Sequence, residues 1–216
     1  MSVKSSSAGK DSLSLLKKGN ARYVCGKTEG PNRAEERRIY TYENGQSPMA
    51  ILVSCADSRV APELLFDRGV GDLFTIRVAG NICGFSEMGS IEYAVEHLHI
   101  PLLIIMAHSC CGAVTAVVDE AEVEGNLLTI AERIAPAVKR TKEARPALTG
   151  ADLVDECAKG NVWYQVETLI KECSVVRNAL ANETLQIEGA FYDIHHGDVT
   201  WLGKHPEEKE LITQAQ

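Results

Sequence analysis

The sequence predicts an α/β fold, with a mostly parallel central β-sheet flanked by helices and an N-terminal helical arm. Three short apolar runs carry this expectation: Met49–Ser54, Leu73–Val78 and Leu102–Ala107. The first and third are continuous rather than alternating, as expected of strands covered on both faces. Helical stretches separate the runs, and strand–helix alternation is the signature of parallel strands joined by crossovers.

From the N-terminus, residues 1–10 are rich in Ser and Lys and read as flexible, and residues 11–48 as the helical arm. In DSLSLLKKGNARYV, Leu13, Leu16 and Tyr23 fall near one helical face, while Gly19 interrupts the pattern and predicts two short helices or one broken one. Residues 26–48 are polar and close on the turn NGQSP. Pro62 suits the first turn of a short helix after the first strand. Ser86 reads as the cap of a helix reaching about Leu98, with Ile91, Ala94, Val95 and Leu98 as its apolar stripe. Further helices are expected from Gly112 to about Glu122, over 126–140 and over 161–182, with RPALTG as a loop. LQIEGAFYDI and DVTWLG flank His195-His196-Gly197 and read as late strands joined by a tight turn. The whole chain, 1–216, is expected to be one domain.

Composition narrows the function. A net charge of -8 argues against nucleic acid and anionic membranes as partners, because phosphate contacts need clustered Lys and Arg. The N-terminus carries no apolar signal segment and no run approaches membrane-spanning length, so a cytoplasmic location is expected. Seven cysteines without a secretion signal favour reduced thiols and metal ligation over disulfides. Cys25, Cys83, Cys157 and Cys173 read as small buried hydrophobes, and His97 and His99 as surface histidines.

The informative pattern is Cys55-Ala-Asp-Ser-Arg59 with His108-Ser-Cys-Cys111. Cys55 and His108 stand at the carboxyl ends of the first and third predicted strands, where open parallel sheets form their ligand sites. Two thiolates and an imidazole suit zinc, and three protein ligands leave one tetrahedral position for water. Zinc lowers the pKa of such a water to about 7. Asp57, paired with Arg59, would remain ionised and accept a hydrogen bond from the activated solvent. Cys110 adjoins Cys111, and its thiol is expected to point into the core.

CADSR followed by HSCC-G resembles the β-class carbonic anhydrase signature, with a plant-type, type I-like active site. The likeness extends through LKKGNARYVCG, GQSP, GDLFTIRVAGN and GSIEYAV, in detail from about residue 13 to 118 and more loosely to about 203. It implies zinc-dependent reversible hydration of carbon dioxide to bicarbonate and a proton, with one Zn2+ per subunit. It also implies Cys55, His108 and Cys111 as ligands and Asp57 and Arg59 as the catalytic dyad. Gln46, Phe74, Ala79, Tyr93 and Gly112 match substrate-pocket positions, and Gln46 read alone is only a solvated loop residue. Phe74 and Tyr93 match positions often contributed across a subunit boundary. A homodimer or homotetramer is expected, with the N-terminal helix packing on the neighbour. Leu52 stands where members with a non-catalytic bicarbonate site carry Trp, which disfavours that form of inhibition. Ala107 replaces the glycine usual before the ligand histidine. Two rivals remain open on the residues alone: hydrolysis of carbon disulfide or carbonyl sulfide on the same scaffold, and a non-catalytic zinc- or thiol-sensing protein using Cys110 and Cys111.

Overall fold

The computed structural model describes residues 3–215. Its core is a five-stranded sheet of β1 (Ala50–Ser54), β2 (Leu73–Arg77), β3 (Leu102–His108), β4 (Gln186–Tyr192) and β5 (Val199–Gly203), in the order β2-β1-β3-β4-β5. The first four strands are parallel, and β5 returns antiparallel to β4 through the turn at His195 and His196. Alternate residues of the apolar runs feed opposite faces. Ile51, Val53, Leu103, Ile105 and Ile187 enter one core cluster, and Ala50, Leu52, Leu102, Ile104 and Met106 the other.

The larger cluster lies beneath α4 (Phe85–Glu96), α5 (Gly112–Val118), α6 (Leu127–Ala144), α7 (Gly150–Glu172), α8 (Ser174–Ala181) and α9 (Glu208–Gln214). The smaller is covered by α1 (Val3–Val24) and α3 (Pro62–Leu65), with Leu16 and Leu65 fully buried in it. Between them in the chain, α2 (Glu35–Asn44) buries no residue and exposes Ile39, Tyr40 and Tyr42.

Four expectations are corrected. The arm begins as one unbroken helix at Val3, including residues 3–10, which were expected to be flexible; residues 1–2 lie outside the described residues. Gly19 does not break this helix, because it marks a close approach: a Cβ there would lie 1.9 Å from the carbonyl oxygen of Phe66. Gly9 likewise lets the N-terminal half of α1 seat against the Pro101 carbonyl, so packing overrides weak propensity. The helix covers this chain's own sheet, with Leu16 in the smaller cluster. The α4 cap falls at Gly84, whose N–H donates to Glu87 Oε2 at 3.0 Å, and Ser86 lies inside the first turn. The region around 161–182 is two helices, a long α7 beginning at Gly150 and a separate α8. The helix α9 had no periodic signal long enough to announce it.

Candidate metal centre

Cys55 follows the last residue of β1, and His108 is the last residue of β3. Those strands are adjacent and parallel, with Ser54 level with Met106, so both side chains emerge at one edge of the sheet. The chain then turns through Cys110 in the left-handed region (φ 55°) and delivers Cys111 just before α5. All three side chains are buried, and their ligand atoms lie within 4.8 Å of one another. The two sulfurs are 4.0 Å apart. Two sulfurs each about 2.3 Å from a tetrahedral zinc would lie about 3.8 Å apart, so the spacing fits.

The histidine ring is held by its other nitrogen. Its Nδ1 lies 2.9 Å from the carbonyl oxygen of Ser109, which can only accept, so Nδ1 carries the proton. Nε2 is left buried without any hydrogen-bond partner. A sealed ring nitrogen with a free lone pair beside two thiols is costly unless something electrophilic meets it. The donor set fits a zinc ion.

The thiols are unequal. Cys55 is brought down to about 4, chiefly by the hydrogen bond from Cys111 working against burial. The amides of Asp57 and Gly80, each 3.4 Å from the sulfur, add to the effect. Cys111 is pushed up by its bond to Cys55, by burial and by the negative charge beside it. One thiolate thus stands ready, and a cation would release the second proton.

Asp57 completes the pocket. Arg59 grips it in a fork, Nε to Oδ1 at 2.9 Å and Nη2 to Oδ2 at 2.7 Å, and the Arg59 amide adds a third bond at 2.9 Å. The Arg59 hydrogen bonds hold this carboxyl well below the usual carboxylate range despite its burial. Oδ2 lies 4.0 Å from His108 Nε2, so an ionised acceptor faces the point where the three ligand atoms converge. Ala79 opens a 3-10 turn beside Cys55, and Gly112 is the first residue of α5, exposed next to Cys111. Gly80 within that turn has φ 70°, and a Cβ there would lie 2.5 Å from Ile134 Cδ1. Only glycine presents its N–H to Cys55 there.

The other residues expected in the pocket lie elsewhere. Gln46 lies exposed before β1, at the end of the strand opposite Cys55. Phe74 is level with Ile51 near the start of β2, and its ring meets that of Tyr93 at 6.2 Å. About 13 Å of strand, four residues at 3.3 Å each, separates the level of Phe74 from Cys55. Within one chain these three do not join the metal cluster.

Two cysteine expectations are corrected as well. Cys110 is exposed, because its left-handed backbone turns the thiol outward while its N–H reaches Asp155 Oδ1 at 3.3 Å. Cys25 is exposed just past the end of α1. Asp193, His196 and Asp198 form a second, exposed group, where Asp193 already accepts from the amides of His195 and His196 and from the His196 ring.

Sequence reasoning missed an outer layer. Arg77 donates to the carbonyls of Cys55 and Asp57 at 3.1 and 2.6 Å. Asn161 and Gln165, fully buried on α7, hold the 80–83 segment. Asn161 Nδ2 donates to the Gly80 carbonyl at 2.8 Å, and Gln165 Oε1 accepts from the Cys83 amide at 2.8 Å. The one available signal was a pair of polar residues within an otherwise apolar helical face.

The fold and site define an α/β protein with an open group of two cysteines and one histidine at the carboxyl edge of its sheet. A sequence model of the carbonic anhydrase family matches residues 50–199. Carbonic anhydrase 2 of Mycobacterium tuberculosis is 36% identical over 186 residues, covering 84% of this chain and 87% of its own. A carbonic anhydrase of Mycolicibacterium smegmatis is 39% identical over 188 residues, covering 85% and 88%. Among solved structures, the β-carbonic anhydrase CafA of Aspergillus fumigatus aligns with a TM-score of 0.76 at 26% identity, over 95% of this chain and 96% of its own. A tetrameric β-carbonic anhydrase of Sordaria macrospora aligns at 0.72 and 26% identity, over 78% and 87%. The chain belongs to the β-carbonic anhydrase family, and is an enzyme of that lyase class. No helix among the described residues is long and apolar enough to cross a membrane.

Proposed function

We propose that this chain catalyses the reversible hydration of carbon dioxide to bicarbonate and a proton, using one zinc ion held by Cys55, His108 and Cys111. The observation that carries this reading is the buried three-ligand cluster with an unpartnered His108 Nε2 and an ionised Asp57 facing it. When bound, zinc supplies the Lewis acidity that makes water acidic near neutral pH. Asp57 accepts a hydrogen bond from that solvent and orients it, while Arg59 keeps the carboxylate charged. Ala79 and Gly112 leave room beside the ligands because neither carries a large side chain.

Gln46, Phe74 and Tyr93 act on the same substrate from a second copy of the chain. Gln46 donates to a substrate oxygen, and the two rings supply the apolar wall and exclude water. The bare α2 helix and the half-exposed edge strand β2 support an assembly of this kind, a homodimer or homotetramer. Residues 1–216 act as one domain in it, in the cytoplasm. The relatives are named as carbonic anhydrases, which lends nothing to the sulfur-substrate or thiol-sensing alternatives.

The test is a pair of substitutions. Cys55→Ala and His108→Ala should each lose bound zinc and carbon dioxide hydration, read by metal analysis and stopped-flow assay. Full hydration by either metal-free variant would refute the assignment.

A further inference from the structure

The segment Cys55–Arg59 carries a metal ligand and a catalytic carboxylate only two residues apart, yet its own packing is poor. Ala56, Ser58 and Arg59 are exposed, and only the flanking Cys55 and Val60 are buried. The two functional side chains point at one spot, so their relative aim depends on the backbone of this turn. That backbone is held from the side by Arg77, the last residue of β2, which pairs in register with Ser54. Its Nε donates to the Cys55 carbonyl at 3.1 Å and its Nη2 to the Asp57 carbonyl at 2.6 Å. The two carbonyls flank Ala56, so one rigid fork spans the peptide units between ligand and carboxylate. Arg59 plays a different part. It grips the Asp57 side chain and reaches the Cys110 carbonyl at 3.3 Å, tying the turn to the Cys111 loop.

We propose that Arg77 is a positioning residue for the reaction, fixing the Cys55–Asp57 turn through two carbonyl oxygens so that thiolate and carboxylate converge. This rests on the zinc-dependent reading above. Arg77 is itself exposed at the end of an edge strand, so global stability depends little on it. The two backbone oxygens it holds belong to the site alone. A misplacement near 1 Å of a reacting group costs about 100-fold, which is the scale at issue. Lysine cannot replace it fully, because an ammonium is a point donor and cannot bridge both carbonyls with a fixed geometry.

The experiment compares Arg77→Gln and Arg77→Lys with the wild-type holoenzyme by stopped-flow hydration, the rate of zinc loss to a chelator, and thermal unfolding. In R77Q, kcat should fall and zinc loss should accelerate, each by about 10–100-fold, the range for residues supporting a metal ligand. KM and the melting temperature should stay near wild type. R77K, able to reach one carbonyl, should recover part of both losses. If R77Q unfolds, R77K is read alone, with intermediate kcat and zinc retention at a normal melting temperature. The proposal is overturned if R77Q matches wild type in kcat and zinc retention, or if its losses follow the melting temperature and R77K restores nothing. Absence of zinc-dependent hydration in the wild type would refute the functional reading instead, while the chelator rates would still report on Arg77.

Discussion

Asp57 is held by three hydrogen bonds from a single neighbour, Arg59, and its free side faces the metal ligands. Its work depends on charge rather than shape. Asp57→Asn should preserve the fold and the bound zinc but lower kcat by about 100-fold, the low end for a lost acid–base group. KM should change little, and stopped-flow hydration with metal analysis separates the two effects. The meeting of Cys55, His108 and Cys111 beside the Asp57–Arg59 pair was legible in the sequence, because few residue types bind zinc and their placement at strand ends limited where they could meet. Arg77 was not legible, and Asn161 and Gln165 only as polar residues on an apolar helical face. Each acts on a backbone atom some 20 to 82 positions away, and a backbone atom leaves no residue-type signature.

At the scale of elements, the strands were readable because burial on both faces demands uninterrupted apolar runs. Helix α1 was misread because glycine signals both flexibility and close approach, and only the neighbour decides which. Gly19→Ala should lower stability by about 2–3 kcal/mol, since a Cβ would press on the Phe66 carbonyl, and denaturant unfolding would show it. A second fastening of this region is the buried Asp67 carboxylate. It accepts from the amides of Glu29 and Gly30 and from Arg22 Nε, and so ties the loop after α1 to α3. Burial alone would raise its pKa, but these bonds outweigh burial and hold it at about 2. A folded value below the unfolded value of about 3.9 means the stabilisation is present above pH 4 and is lost as pH falls toward 2. Asp67→Asn should lose about 2–3 kcal/mol at neutral pH. It should also flatten the stability–pH curve between pH 4 and 2, as unfolding at several pH values would measure.

The whole molecule separates the residues expected in the site into two groups at opposite edges of the sheet: Cys55, Asp57, Arg59, His108 and Cys111 at the carboxyl ends of β1 and β3, Gln46, Phe74 and Tyr93 at the other. The resemblance implied this division for Phe74 and Tyr93 but not for Gln46, because a residue type alone carries no record of which copy supplies it. If copies share sites, an equal mixture of Gln46→Ala and Cys55→Ala chains, refolded together, should regain about a quarter of wild-type hydration. Half of the dimers would be mixed, and each of those would hold one intact site of two. Activity that never exceeds the sum of the separate variants would place all site residues within one chain. A zinc-edge X-ray absorption spectrum of the purified protein tests the proposed Cys55, His108 and Cys111 metal site most directly. The expected result is one zinc per chain with two sulfurs near 2.3 Å and a nitrogen near 2.0 Å, each distance to within about 0.2 Å. A protein without zinc, or zinc surrounded by oxygen and nitrogen alone, would contradict it.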